Sequence, residues 1–478
     1  MGGMFGGLFA LVAVATTAPD YAGRLRADAA AFRAEVTDSH PGLVNARDTQ
    51  FRSRLDAAYA QALRRARTTR TYAQYSWALS ELTSAFDDGH LGIMPDPKAD
   101  ADYPWAFSWP GFVTELAADG HRVSASEEGG VSAGALLVGC DGRSVDRLAA
   151  DRIGRFMGSW SLASQRRAQA ATLFLPPDNP WLGTIRRCTF EQGGVRRTVT
   201  LHWRPIEAAK RKQLLARSRE RFHAPVALER LADGTVWVGL GSFDSDATSP
   251  DGRALDTLVG RIDADAGELR TAPRVVFDLR GNNGGSSAWI NRLASSLWSK
   301  PFVDARRPDG GYAEWRVSPG NIERMQTYQT QAAARREIDP NFYNWATRTL
   351  GGMEGALRDH QALWTEPHGS RAPRPVAPPN PVASKVFVLT DYACASACLD
   401  AVDLLTALGG VQVGQDTNAD TDYMEIRERK LADGTVIWVP MKVYRDRPRG
   451  SNVPAVAQHA WDGRMADTAG LQRWIATL

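Results

Sequence analysis

Residues 274–298 read RVVFDLRGNNGGSSAWINRLASSLW, and residues 385–405 read KVFVLTDYACASACLDAVDLL. In each, a short apolar run rich in β-branched and aromatic residues breaks at a turn and passes into a segment with apolar residues at three- and four-residue spacing. The same strand, turn and helix plan therefore occurs twice. The run TVWVGLGSF and the helix-like ALDTLVGRIDA precede the first copy. Strands alternating with helices predict an α/β fold with a largely parallel sheet, in which functional groups gather at the carboxyl ends of the strands.

The two turns differ in chemistry. DLRGNNGG presents successive backbone N–H groups with little side chain to block approach, at the positive end of a starting helix. Such a turn can hold an anion. It lacks the GK[ST] ending of a phosphate loop and the GxGxxG spacing of a dinucleotide fold, so nucleotide binding is disfavoured. An oxyanion hole uses the same physics, with preorganised donors aimed at a carbonyl oxygen that gains charge during acyl transfer. In the second copy Ser396 stands where strand becomes helix. Its hydroxyl can project into the cleft beside the N–H of Ala397, as a nucleophile would, or it can serve as an ordinary helix N-cap.

The rest of the chain divides by texture. Residues 1–18 have the outline of an export signal, an apolar core followed by small residues, although no Lys or Arg precedes the core; the other reading is a disordered cytoplasmic end. Residues 19–98 carry helical runs that end at Asp87-Asp88-Gly89-His90, where glycine marks a helix stop. Residues 99–206 turn to short Gly-broken alternating segments, a small β domain, and residues 207–478 hold the two strand-turn-helix units. An insertion from about 300 to 384 separates those units, and insertions of that length usually cover a site or mediate contacts.

Composition excludes several classes. With 57 Lys+Arg against 54 Asp+Glu and a net charge of +3, no single-sign field draws the chain to nucleic acid or acidic lipid. No segment is long enough for a permanent membrane span. The cysteines, 140, 188, 394 and 398, lack metal-site spacing, so neither a metal nor another cofactor is expected. Cys140 and Cys188 fall in one region and could pair. Cys394 and Cys398 flank Ser396 and read as supports of the turn, either as thiols or as a disulfide; a nucleophilic or redox cysteine is the weaker reading.

In order along the chain, DDGH, GALLVGCDGRSVDRL, VVFDLRGNNGG, FVLTDYACASAC and GTVIWVPMKVYR resemble the C-terminal processing peptidases, a family that includes the tricorn core protease and the interphotoreceptor retinoid-binding protein repeats. The resemblance implies a crotonase-like αββ peptidase core with a mixed, largely parallel sheet, an N-terminal helical segment and a PDZ-like β domain. It also sorts the candidate residues. In the serine–lysine branch the base lies on a G-x-x-T-x-G-K-G pattern, but Asp420 occupies that lysine position here. The tricorn-like branch draws a histidine from the N-terminal region, which His90 matches, and an acid after a late strand, where Asn452 stands.

These readings converge on an exported serine peptidase, periplasmic or secreted, of endopeptidase or carboxyl-terminal processing type. Its substrates would be peptides or unfolded chain ends, and a homo-oligomer is compatible with it. Ser396 attacks, His90 is general base and then acid, and the N–H groups of Gly284 and Ala397 hold the oxyanion, with Gly285 the near alternative to Gly284. Asn283 and Gly285 line the substrate position. The third member is Asn452, Asp446 or another acid. Two other functions suit the same fold: a catalytically weak or inactive binding protein, which Asn452 favours, and an acyl or ester hydrolase.

Overall fold

The runs RVVFD and KVFVLT become neighbouring parallel strands, Arg274–Asp278 and Lys385–Thr390, paired from Arg274 with Lys385 to Asp278 with Leu389. In this computed structural model, which describes residues 19–219, 222–246, 248–334, 336, 340–367 and 375–478, they form the middle of a six-stranded sheet. Strand order is Ala227–Arg230, Val236–Gly239, Arg274–Asp278, Lys385–Thr390, Val411–Gly414 and His459–Ala460. Only the first pair is antiparallel. The export-signal outline at 1–18 lies outside the described residues.

Both faces of this sheet are covered, which explains why its strands are continuously apolar. Val275, Phe277 and Val388 pack into a core completed by Leu258, Leu293 and Leu405, from the helices Pro250–Leu269, Ala288–Trp298 and Ala397–Ala407. Alternate residues Val276, Phe387 and Leu389 face the other way, against Leu471 and Ile475 of the helix Thr468–Ile475. The mixed α/β class with a largely parallel sheet is thus the observed architecture.

A second sheet brings distant parts of the chain together. Its long strand Val436–Arg445 pairs with Tyr423–Lys430 along one edge. Along the other it takes Gly92–Met94 near its start and Tyr312–Arg316 near its end. Tyr312–Arg316 belongs to the 300–384 segment, which also adds the outer strand Leu363–Thr365 and the helices Pro319–Ala333 and Pro340–Arg358. That segment is therefore built into a sheet rather than laid over one.

The N-terminal helices Tyr21–Ser39, Phe51–Ala66 and Tyr72–Ser84 bury Phe32, Leu55 and Leu79 against Ile437 and Val439 of the long strand. The last of these helices starts with a reciprocal capping box between Thr71 and Gln74. Residues 112–200 contain another antiparallel sheet, including a hairpin of Arg187–Gln192 and Val195–Thr200 closed by Gly193 and Gly194, both at positive φ. There a disulfide joins Cys140 and Cys188 on adjacent strands.

Candidate active site

Because Arg274–Asp278 and Lys385–Thr390 end side by side, the turns that follow them meet. Asp391 ties them together. Its carboxylate, 1% exposed, accepts the Gly281 N–H at 3.1 Å and the Ala393 N–H at 3.0 Å. Burial pushes the Asp391 carboxyl up to about 6, while the Gly281 and Ala393 amides hold it down in part. Beneath the first turn the fully buried Arg280 guanidinium donates to Asp278 at 2.8 Å and stacks 4.0 Å from the Phe222 ring.

The Asn282 side chain shapes the glycine turn: its amide donates to the Leu240 carbonyl at 2.7 Å, and its Oδ1 accepts the Gly284 N–H at 2.8 Å. The Gly284 N–H, expected to face the oxyanion, thus has an acceptor within its own turn. Among the described residues the N–H groups of Gly285 and Ala397 have no acceptor. Gly284 supplies closeness instead. At φ 105° it lies so near the second turn that a Cβ would come within 2.7 Å of the Ser396 Cβ and 3.1 Å of the Ala397 nitrogen.

Ser396 occupies φ 54°, ψ −125°, a conformation that L residues rarely adopt. It stands at the N-cap of Ala397–Ala407 yet makes no side-chain cap hydrogen bond. Its hydroxyl is thus not spent on the helix start that follows it. The turn is held by Asp420, whose Oδ2 accepts the Ser396 N–H at 2.9 Å. Asp420 fills the position of the absent lysine, and sequence reasoning had assigned it no role. Burial raises its carboxyl above the ordinary range, against the lowering effect of His90 and Arg449.

The flanking cysteines form a disulfide with Cα atoms 5.3 Å apart, and both are fully buried in the core beneath the turn. Buried and bonded to each other, they present no free thiolate.

His90 follows the helix end by a turn that contains Asp87 at φ 50°. The Asp88 carboxylate accepts the His90 N–H at 2.8 Å and lies 3.7 Å from the ring Nδ1, an ion-pair distance. The ring is 17% exposed. Burial disfavours its charged form, but the carboxylates of Asp88, Asp420 and Glu425 together outweigh this and raise its pKa. The Asp420 carboxylate thus connects the two candidate residues, holding the Ser396 backbone and acting on the His90 ring.

Asn452 reaches the same loop from the far end of the chain. Its side-chain amide donates to the Asp87 carbonyl at 3.0 Å and its N–H to the Asp420 carbonyl at 2.7 Å. Asp446 turns away, pairing with Arg47 at the surface at 3.1 Å. Asn283 is in the glycine turn. Of nine non-glycine residues at positive φ among the described residues, Asp87, Ser396, Glu425 and Asn452 belong to this network. Strained backbone of this kind concentrates at functional sites. Among the described residues no group of acidic, histidine and cysteine side chains is arranged to hold a metal ion.

No protein-family model matches the chain. A search of curated proteins also finds no match. Among solved structures the chain is similar to mature CPAF, at 12% identity over 96% of this chain and 97% of that one, with a TM-score of 0.59. It is similar to mature CPAF complexed with lactacystin at 13% identity over 96% and 99% of the two chains, with a TM-score of 0.58. At such identity the likeness is one of fold, and it extends along nearly the whole chain.

Proposed function

We propose that this chain is a serine peptidase of the C-terminal processing class, acting on peptides or unfolded chain ends through an acyl-enzyme. One observation carries the reading: the Ser396 hydroxyl stands at a strained helix start that it does not cap, beside the open Ala397 amide. The fold shared with CPAF, whose structures include a complex with lactacystin, supports it.

In this mechanism His90 Nε2 accepts the proton as Ser396 Oγ bonds to the substrate carbonyl carbon. The N–H groups of Ala397 and Gly285 stabilise the resulting oxyanion. The tetrahedral intermediate collapses with cleavage of the C–N bond, and His90 returns the proton to the leaving amine. Water, activated by the same imidazole, then hydrolyses the ester. A cavity of about 350 Å³ is lined by Leu116 and Ala117 on one side and by Tyr392 and Gln415, which follow two strands of the parallel sheet, on the other. The strand Phe112–Ala117 forms the edge of its sheet there, so an extended chain could pair with it. Two disulfides favour an oxidising compartment, periplasmic or extracellular.

The test uses unfolded protein and a fluorophosphonate probe. Ser396→Ala should abolish labelling and lower hydrolysis by about 10³-fold or more. His90→Ala should lower hydrolysis by about 10²–10⁴-fold. A wild-type protein that binds unfolded chains yet neither labels nor cleaves would establish the binding-protein reading instead.

A further inference from the structure

We infer that Asp88 is the positioning residue of His90, taking the place that a late-chain acid would fill; this rests on the serine–histidine reading. A histidine base needs an acceptor on Nδ1, so that the proton sits there and Nε2 stays open towards the serine. Four carboxylates compete for that place, and the contacts separate them.

Asp446 is tied to Arg47 at the surface, at 3.1 Å. Glu425 accepts from the Tyr328 hydroxyl at 3.1 Å and pairs with Lys442 at 3.3 Å. Asp420 uses Oδ2 on the Ser396 N–H. Asp88 alone of these has both the proximity and the open valence. Its side chain is 3% exposed, and its Oδ1, which accepts the His90 N–H, lies 3.7 Å from Nδ1. Its Oδ2 and the His90 Nδ1 are both buried without a hydrogen-bond partner among the described residues.

Two orphaned complementary atoms in one turn are costly unless they pair. Hydrogen bonds of catalytic groups are commonly long in free enzymes and tighten around substrate, and here one oxygen of the same carboxylate already stands 3.7 Å from Nδ1. The Asp88 carboxylate is already fixed by accepting the His90 N–H at 2.8 Å, so it cannot drift as the ring moves. Asn452 then has a different task. It grips the Asp87 carbonyl and so braces the turn, without orienting the ring itself.

Asp88→Asn retains the acceptor for the backbone N–H but removes the charge, and Asp88→Ser retains a smaller acceptor. Both variants are compared with wild type for thermal stability, kcat, KM and the pH profile of fluorophosphonate labelling. The expected result is a fall in kcat of about 10²-fold or more with KM little changed. The acid limb of the profile should also move to lower pH, because the imidazole loses a neighbouring anion while Asp420 and Glu425 remain. A folded Asp88→Asn or Asp88→Ser protein with wild-type kcat and acid limb overturns the role of Asp88 while leaving the serine–histidine reading intact. Loss of kcat with an unmoved acid limb in the folded variants also overturns it, since that is the mark of a merely structural residue. If His90→Ala is fully active, it is the serine–histidine reading itself that fails.

Discussion

Ser396 and Gly284 form one steric unit although they come from different turns. The serine has the strained backbone, and the glycine has the space into which it fits. Gly284→Ala should therefore act twice, forcing a Cβ to within 2.7 Å of the Ser396 Cβ and placing a side chain at φ 105°. Backbone strain of this kind costs about 1–3 kcal/mol. The expected outcome is a lowered urea midpoint together with loss of fluorophosphonate labelling. A Gly284→Ala protein that labels at the wild-type rate would show that the turns tolerate separation.

At the scale of elements, His90 owes its place to a three-residue strand. Gly92–Met94 pairs with the start of Val436–Arg445, and the Trp438 ring covers Gly92 so closely that a Cβ there would lie 2.0 Å from it. The Trp438 indole N–H also donates to the Gly89 carbonyl at 3.3 Å. Burial of Leu91 and Ile93 adds about 1.5–3 kcal/mol each to this attachment. Gly92→Ala should displace the strand and with it the His90 loop, lowering kcat more than overall stability, which paired kinetics and denaturation will show. The two turns of the larger sheet depend likewise on Asp391. Asp391→Ala strands the buried N–H of Gly281 and the half-buried N–H of Ala393, and a buried unsatisfied donor costs about 1–3 kcal/mol. A drop of that order in unfolding free energy is expected from urea titration.

The whole molecule joins its two ends at the site: helices from the first hundred residues pack on a strand near residue 440. His40 lies in that junction, fully buried, its ring stacked 4.2 Å from Phe51 with Tyr423 at its edge. Burial pushes its pKa down to about 3, with Asp88 opposing and Arg54 adding to the fall. The unfolded chain thus binds a proton near pH 6.5 that the folded one refuses until about 3. Stability from this group is complete above pH 6.5 and is lost progressively as the pH falls towards about 3. His40→Asn keeps an acceptor for the Gly42 N–H but does not titrate. The stability advantage of wild type over His40→Asn should shrink through that window, measured by urea unfolding at successive pH values.

Two strand-turn-helix units, the parallel sheet they imply, Ser396 at one turn and a glycine-rich segment at the other were all legible in the sequence. Strand periodicity, turn residues and helix caps act over a few neighbouring residues, so their signal is local. Tertiary structure alone decided how the donors and acceptors are shared out. Asn282 engages the Gly284 N–H and leaves Gly285 open; Asp420 accepts the amide of Ser396, 24 residues away; Asn452 braces Asp87 across 365 residues. The 300–384 segment joins a sheet because Tyr312–Arg316 finds its partner strand more than a hundred residues later. Such pairings carry no local spacing or composition. They depend on which polar groups are left together once the apolar faces are buried, and the folded chain settles that.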